Sequence, residues 1–338
     1  MLYALGGGMG HLVRATSITR AIKRISGFDP IILTTPGFTD IVKNEAVRLQ
    51  VVAEPDEPKE YRGKIIEKLK KLDPDVLIVD ALPMGLMGEL RDFLPGFTGP
   101  KILVARMLRE DYRLQMGIDE FVGEEYDMVV RAEKMPDNHL KHDNSVHAPN
   151  ILVRSADEIP GRQRARDMLK VPRERFLVVA LSTHQPLRAD AFFQMVFRSL
   201  MKIGEKRAVI KFVSPYGEPD PSSAHTSYFP MMELMPGIDA LVGHGGYHLI
   251  HEAETLRVPF LVFPQEKLYD DQHARLSDRK SDYLIEFKSN MEMENGLRKM
   301  LGRSRGKRKI PKFENGADTA AEAIVEFCKN TIGADKAR

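Results

Sequence analysis

The 338-residue chain has one cysteine, Cys328, and no tryptophan. A single thiol excludes an intramolecular disulfide and any cysteine-built metal site, and it suits a reducing, cytoplasmic compartment. No apolar run approaches the roughly 20 residues that a membrane-crossing helix requires. Lys and Arg number 50 against 48 Asp and Glu, so the balance offers no case for nucleic acid, which demands a concentrated basic face. The densest basic run, Arg303–Lys312 (RSRGKRKIPK), reads as a solvated loop before it reads as a contact for anionic lipid. The chain opens on a strand directly after Met1, which leaves no room for a signal peptide. Low-complexity segments and short-period repeats are missing as well. These absences leave a globular protein, soluble or touching a membrane from one side only.

What is present is alternation. Pro30–Thr34, Val76–Asp80, Ile102–Ala105 and Met128–Val130 are short, almost wholly apolar runs. Continuous apolarity, with no polar residue at every second position, is what a parallel strand covered on both faces requires. Helical patterns at Leu12–Ile25 and Ile65–Leu72 lie between them, which makes a βαβ series and a doubly wound sheet. The pattern pauses near Ala148–Asn150, passes a helix at Arg162–Lys170, and restarts. Phe176–Leu181, Ala208–Phe212, Ala240–Val242 and Phe260–Phe263 form the second set of strands. The expected organisation is α/β, with two Rossmann-like domains at 1–150 and 151–315. A terminal helix, 316–338, packs back on one of them. Ligands in such sheets lie beyond the carboxyl ends of the strands, so two domains of this kind would face one central cleft.

Two glycine-rich turns stand at such strand ends. The first is Gly6-Gly7-Gly8-Met9-Gly10-His11 and the second is Gly243-His244-Gly245-Gly246. Glycine lets backbone amides approach a polar ligand closely, and a helix start adds unpaired N–H groups and a positive dipole end. Glu252 follows the second turn by six residues; Val258-Pro259, Pro264 and Asp271-Gln272 come after it. This spaced set resembles the donor-binding signature of GT-B glycosyltransferases, family 28 above all. The best-known member of that family adds N-acetylglucosamine to the lipid-linked peptidoglycan precursor. The signature of plant UDP-glycosyltransferases shares the same frame. His244, Gly246, Glu252, Pro259, Pro264, Asp271 and Gln272 stand at matching spacing, and GGGMGH matches the family's amino-terminal turn. The sequence departs from the pattern at Tyr247-His248-Leu249, where the plant enzymes carry Trp-Asn-Ser. It departs again at Arg257, which replaces a glycine, and at Ser182-Thr183-His184-Gln185, which lacks the family 28 glycines. These departures fall on contacts to the donor.

The resemblance implies an inverting glycosyltransferase that takes a nucleotide-diphosphate sugar, UDP-linked by preference, and needs neither a metal nor a cofactor. His11 is then the general base on the acceptor hydroxyl, because imidazole titrates near neutrality. Asp80 would orient it or, equally, cap the next turn. Ser182, Thr183, His244 and the backbone at Gly245 and Gly246 would hold the diphosphate. Gly8 and Gly10 would let the first turn approach the substrate. Glu252 would accept from the ribose hydroxyls, Asp271 and Gln272 from the sugar. Phe229 or Met231 would lie near the nucleobase. The partners are the donor and a glycan, lipid-linked or small-molecule acceptor. Nucleic acid is excluded, and a peripheral membrane contact is permitted by the apolar Ala81–Met87 segment.

Other readings remain open at this point. Gly8-Met9-Gly10-His11-Leu12-Val13-Arg14 also looks like the opening of the UDP-sugar hydrolase of pseudaminic acid synthesis, with water replacing the acceptor. A non-hydrolysing epimerase of the same fold would want more carboxylates. An inert sugar-nucleotide sensor would not need both His11 and Glu252. His244, His248 and His251 have a spacing that a zinc ion could use. Arg14 and Arg20 are expected to face solvent or the acceptor.

Overall fold

The computed structural model describes every residue except 55–56, 184–185, 216–222, 278, 280, 303–308 and 336–338. His184 and Gln185, and the first six residues of the basic run, therefore lie outside the described residues. The chain divides into two units: residues 1–153, 268–270 and 315–338 form the first, and residues 154–267 and 271–314 the second. The sequence had suggested no return of 268–270 to the first unit.

The first unit is built on seven parallel strands: β1 (Leu2–Tyr3), β2 (Ile31–Thr34), β3 (Arg48–Val51), β4 (Leu77–Asp80), β5 (Lys101–Ala105), β6 (Met128–Arg131) and β7 (Ser145–His147). Their order across the sheet is β3-β2-β1-β4-β5-β6-β7. The winding direction reverses between β1 and β4, which pair directly through Leu2–Ile78 and Tyr3–Val79. A reversal of this kind opens a crevice at the carboxyl ends of the two strands. The loops that leave β1 and β4 therefore share that crevice.

The first helix, Met9–Ser26, starts right after the Gly6–Gly8 turn. It is rich in good helix formers and carries Lys23 and Arg24 in its last turn, where they complement the dipole. Gly27 ends it at φ 76° and donates its N–H to Lys23 O, a left-handed cap suited to glycine. The helix Pro58–Leu72 buries Tyr61, Ile65 and Leu69. Their spacing of four places all three on one face, packed into the core with Leu33, Val79 and Leu103. The final helix, Gly316–Asp335, packs on the first helix. Its entry is fixed by Asn315, whose Oδ1 accepts from Leu152 N and whose Nδ2 donates to Leu152 O. A Cβ on Gly316 would stand 2.1 Å from Pro149 O, so only glycine fits there.

The second unit repeats the plan with β8 (Phe176–Leu181), β9 (Ala208–Val213), β10 (His225–Thr226), β11 (Ala240–His244), β12 (Phe260–Phe263) and β13 (Leu284–Glu286). All pairings are parallel, in the order β10-β9-β8-β11-β12-β13. The reversal here falls between β8 and β11. The Ser182-Thr183 loop and the His244–Gly246 turn lie at its carboxyl side. Phe192, Phe193 and Val196 pack on Val178, Ala180 and Val242 to form the core of this unit. No helix among the described residues is long and apolar enough to cross a membrane.

Candidate functional site

At the first reversal, Asp80 is the last residue of β4 and is 1% exposed. His11, in the first turn of the first helix, places Nδ1 2.9 Å from Asp80 Oδ2 and 3.0 Å from Asp80 O. A backbone carbonyl only accepts, so Nδ1 must carry the proton. In the neutral ring the lone pair is then on Nε2. The imidazole is packed so closely that a Cβ on Gly6 would stand 2.2 Å from its Cδ2. The first glycine of the turn is therefore set by the histidine, and Gly8 serves as the N-cap without any side-chain cap bond. Gly10 lies within the first turn of the helix. Gly6→Ala is expected to displace the ring by about 1 Å and to cost roughly a hundredfold in turnover. A melting curve and a rate measured together would separate this from unfolding.

Arg14 does not face solvent. It is 1% exposed, and it holds both oxygens of Asp80, through Nε at 2.5 Å and Nη2 at 2.8 Å. Burial by itself would raise the Asp80 carboxyl. The Arg14 charge and the hydrogen bonds from His11 and Arg14 outweigh it and bring the pKa down to about 2. Asp80 is thus ionised throughout the neutral range. Its position also has a backbone cost, because Ala81 follows it at φ 75°, a region that costs a non-glycine residue on the order of 1 kcal/mol. Arg20 is not solvent-facing either: it donates to Val153 O and pairs with Glu45 at 3.5 Å.

The Ala81–Met87 segment follows the Asp80 strand. Ala81, Leu82 and Met84 are buried, and only Met87 is exposed, at 38%. The loop wraps the buried Glu89, which accepts from Tyr3 Oη, Leu86 N and Met87 N. Gly85, at φ 84°, leaves the space that this carboxyl occupies. Most of the segment is therefore internal packing.

At the second reversal, Gly243 lets β11 close on its neighbours, since a Cβ there would meet Leu249 at 2.9 Å. His244 ends the strand with its ring 4.7 Å from that of Phe192. Gly245 and Gly246 lead into the helix Tyr247–Thr255, and Gly246 caps it without a side-chain bond. Glu252 is 5% exposed, and its carboxylate makes no hydrogen bond or ion pair among the described residues. Burial alone pushes its pKa up to about 8. A lone buried carboxyl is costly unless something else pairs with it.

Several expected donor contacts have structural tasks. Ser182 is fully buried at the strand end, whereas Thr183 is exposed there. Asp271 Oδ1 accepts from Ala274 N and caps the helix Gln272–Ser277. Gln272, 4% exposed, accepts from Gln265 N and backs Gly245. Met231 is 8% exposed and belongs to the interior, while Phe229 is half-buried. Beside Phe229 lies a bridge unforeseen from sequence: Tyr228 Oη and Arg154 Nε each donate to Glu233 at 2.7 Å. His251 is 2% exposed, stacks near Tyr247 and meets Arg279. No group of three or more His, Cys, Asp or Glu among the described residues is arranged to hold a metal.

No protein-family model matches the chain, and no curated protein matches it by sequence. Solved structures do. Sucrose-phosphate synthase from Thermosynechococcus elongatus superposes with a TM-score of 0.63 at 12% identity, over 98% of this chain and 99% of that one. The chain has the GT-B fold. Two further GT-B structures are similar over nearly full length. Spinosyn rhamnosyltransferase SpnG, complexed with thymidine diphosphate, gives 0.61 at 12% identity, over 97% and 96% of the two chains. MurG of Acinetobacter baumannii gives 0.54 at 12% identity, over 97% and 99%.

Proposed function

We propose that the protein is an inverting glycosyltransferase that takes a nucleotide-diphosphate sugar, by preference a UDP-sugar. The observation that carries this reading is the pairing of His11 with an ionised Asp80, which directs the lone pair of Nε2 to the outside of the pair. The acceptor hydroxyl gives its proton to Nε2 as its oxygen bonds to C1 of the sugar. The bond from C1 to the diphosphate breaks, and the diphosphate takes the electron pair. The positive dipole end at the start of the Tyr247–Thr255 helix, with His244 and Thr183, would steady that charge without a metal. Glu252 would accept from the ribose hydroxyls, and Asp271 Oδ2 from the sugar. The GT-B neighbours support sugar transfer, and one of them was solved with thymidine diphosphate. The acceptor is a glycan, a lipid-linked sugar or a small molecule, and the enzyme works in the cytoplasm.

The reading is tested by incubating the protein with UDP-sugars and pooled acceptors and determining the anomeric configuration of the product by NMR. Inverted product supports it. Retained configuration contradicts it. Release of free sugar at full rate without an acceptor would instead assign the same residues to donor hydrolysis.

A further inference from the structure

Arg14 has no part in the proton transfer just described, yet it is as deeply buried as the aspartate it holds. It lies three residues after His11, on the same side of the first helix. Its two contacts use both Asp80 oxygens, and Oδ2 is shared with His11 Nδ1 at 2.9 Å. We propose that Arg14 is a positioning residue, a two-point clamp that fixes the Asp80 carboxylate so that His11 keeps its proton on Nδ1 and offers Nε2 to the substrate. The inference rests on His11 being the base.

The physical argument has two parts. A carboxylate held at one oxygen rotates about its terminal torsion, which is broad; held at both by a planar guanidinium it does not. The oxygen facing His11 is then fixed in direction as well as distance. The second part is charge. Arg14 and His11 are the charged or titratable groups that act on Asp80, and the Arg14 charge is the largest single influence that lowers its pKa. Without it, the carboxyl would move up. A protonated Asp80 can donate to Nδ1 and so competes with Asp80 O, which holds the proton there, and the two tautomers mix.

The test uses the full chain labelled with 15N-histidine, in the wild type, Arg14→Met and Arg14→Lys. The His11 signals, assigned with a His11→Gln control, report the tautomer directly at pH 7.5. The wild type should show protonated Nδ1, and Arg14→Met a mixture. In Arg14→Met, which loses the positive charge beside the pair, the acid limb of the rate profile should move to higher pH than in the wild type. Turnover at pH 7 should fall about a hundredfold with donor KM nearly unchanged. Arg14→Lys restores the charge but not the two-point grip. It should restore the acid limb and leave turnover about tenfold low. A purely structural Arg14 would lower the melting point and leave tautomer and pH profile as in the wild type, which would overturn the clamp. Should Arg14→Met fail to fold, Arg14→Lys with wild-type tautomer and turnover would overturn it equally. If the wild type transfers no sugar at all, the proposed function fails, and the tautomer still decides the clamp.

Discussion

His11→Ala should lower turnover by about 10²–10⁴-fold, the usual contribution of a positioned general base, while nucleotide binding stays within a few-fold of the wild type. The asymmetry follows from where the ring is held. Its contacts are to Gly6 and Asp80 in the first unit, and the residues assigned to the nucleotide are in the second. Single-turnover rates together with nucleotide titrations would check both halves of the statement. A variant that loses rate and nucleotide affinity in parallel would place His11 in the donor site and remove it as base. The expected effect is smaller on thermal stability, because a half-turn of helix around residue 11 keeps its backbone bonds.

Glu252→Gln should make the protein more stable at neutral pH and a poorer binder of nucleotide sugar. The carboxyl is pushed by burial from 4.5 to about 8, so the folded state retains a proton that the unfolded chain gives up between those values. Stability therefore falls as pH rises from about 4.5, and the loss is complete above about 8. At pH 7 the penalty is at most about 3 kcal/mol. Glutamine abolishes it and should flatten the dependence of the melting point on pH across that window. Binding should follow the opposite course in the wild type. Two ribose hydroxyls donate to an ionised carboxylate, so affinity for a UDP-sugar should rise with pH, up to tenfold per unit below about pH 8. Calorimetry of the wild type at pH 6, 7 and 8 shows whether it does. An affinity independent of pH in both proteins would mean that Glu252 does not touch the ribose.

The two turns at the sheet reversals could be read from sequence because their signals are local. Apolar runs such as Leu77–Val79 and Phe176–Leu181 have no alternative to a buried parallel strand, and glycine followed by a helix start marks the strand ends. The edge strands β3, β7, β10 and β13 could not be read. Arg48-Leu49-Gln50-Val51 and Ser145-Val146-His147 are short, polar and largely exposed, because an edge strand has a ladder on one side only. Arg14 was missed for a different reason. A charge on a helix is read as solvated unless its partner is known, and Asp80 lies 66 residues away in sequence. The spacing of three from His11 was the one available hint. Ser182 shows the limit in the other direction. A serine at a strand end has the right chemistry for a phosphate, and only the tertiary structure shows that Ser182 is buried. Glu252 lay between these cases: its spacing was informative, its isolation in the interior was not visible.

The measurement that bears most directly on the account is a thermal-shift screen of UDP, dTDP, GDP, CMP and ADP, with and without attached sugars, on the wild type and on Glu252→Ala. A ligand at about 100 times its Kd adds about 2.7 kcal/mol to stability, a shift on the order of 5 °C in a protein of this size. The account predicts such a shift for UDP or dTDP and their sugars, and its disappearance in Glu252→Ala measured against that variant's own unliganded melting point. No shift with any nucleotide, or an equal shift in the variant, would contradict the donor site on which the proposed transfer depends.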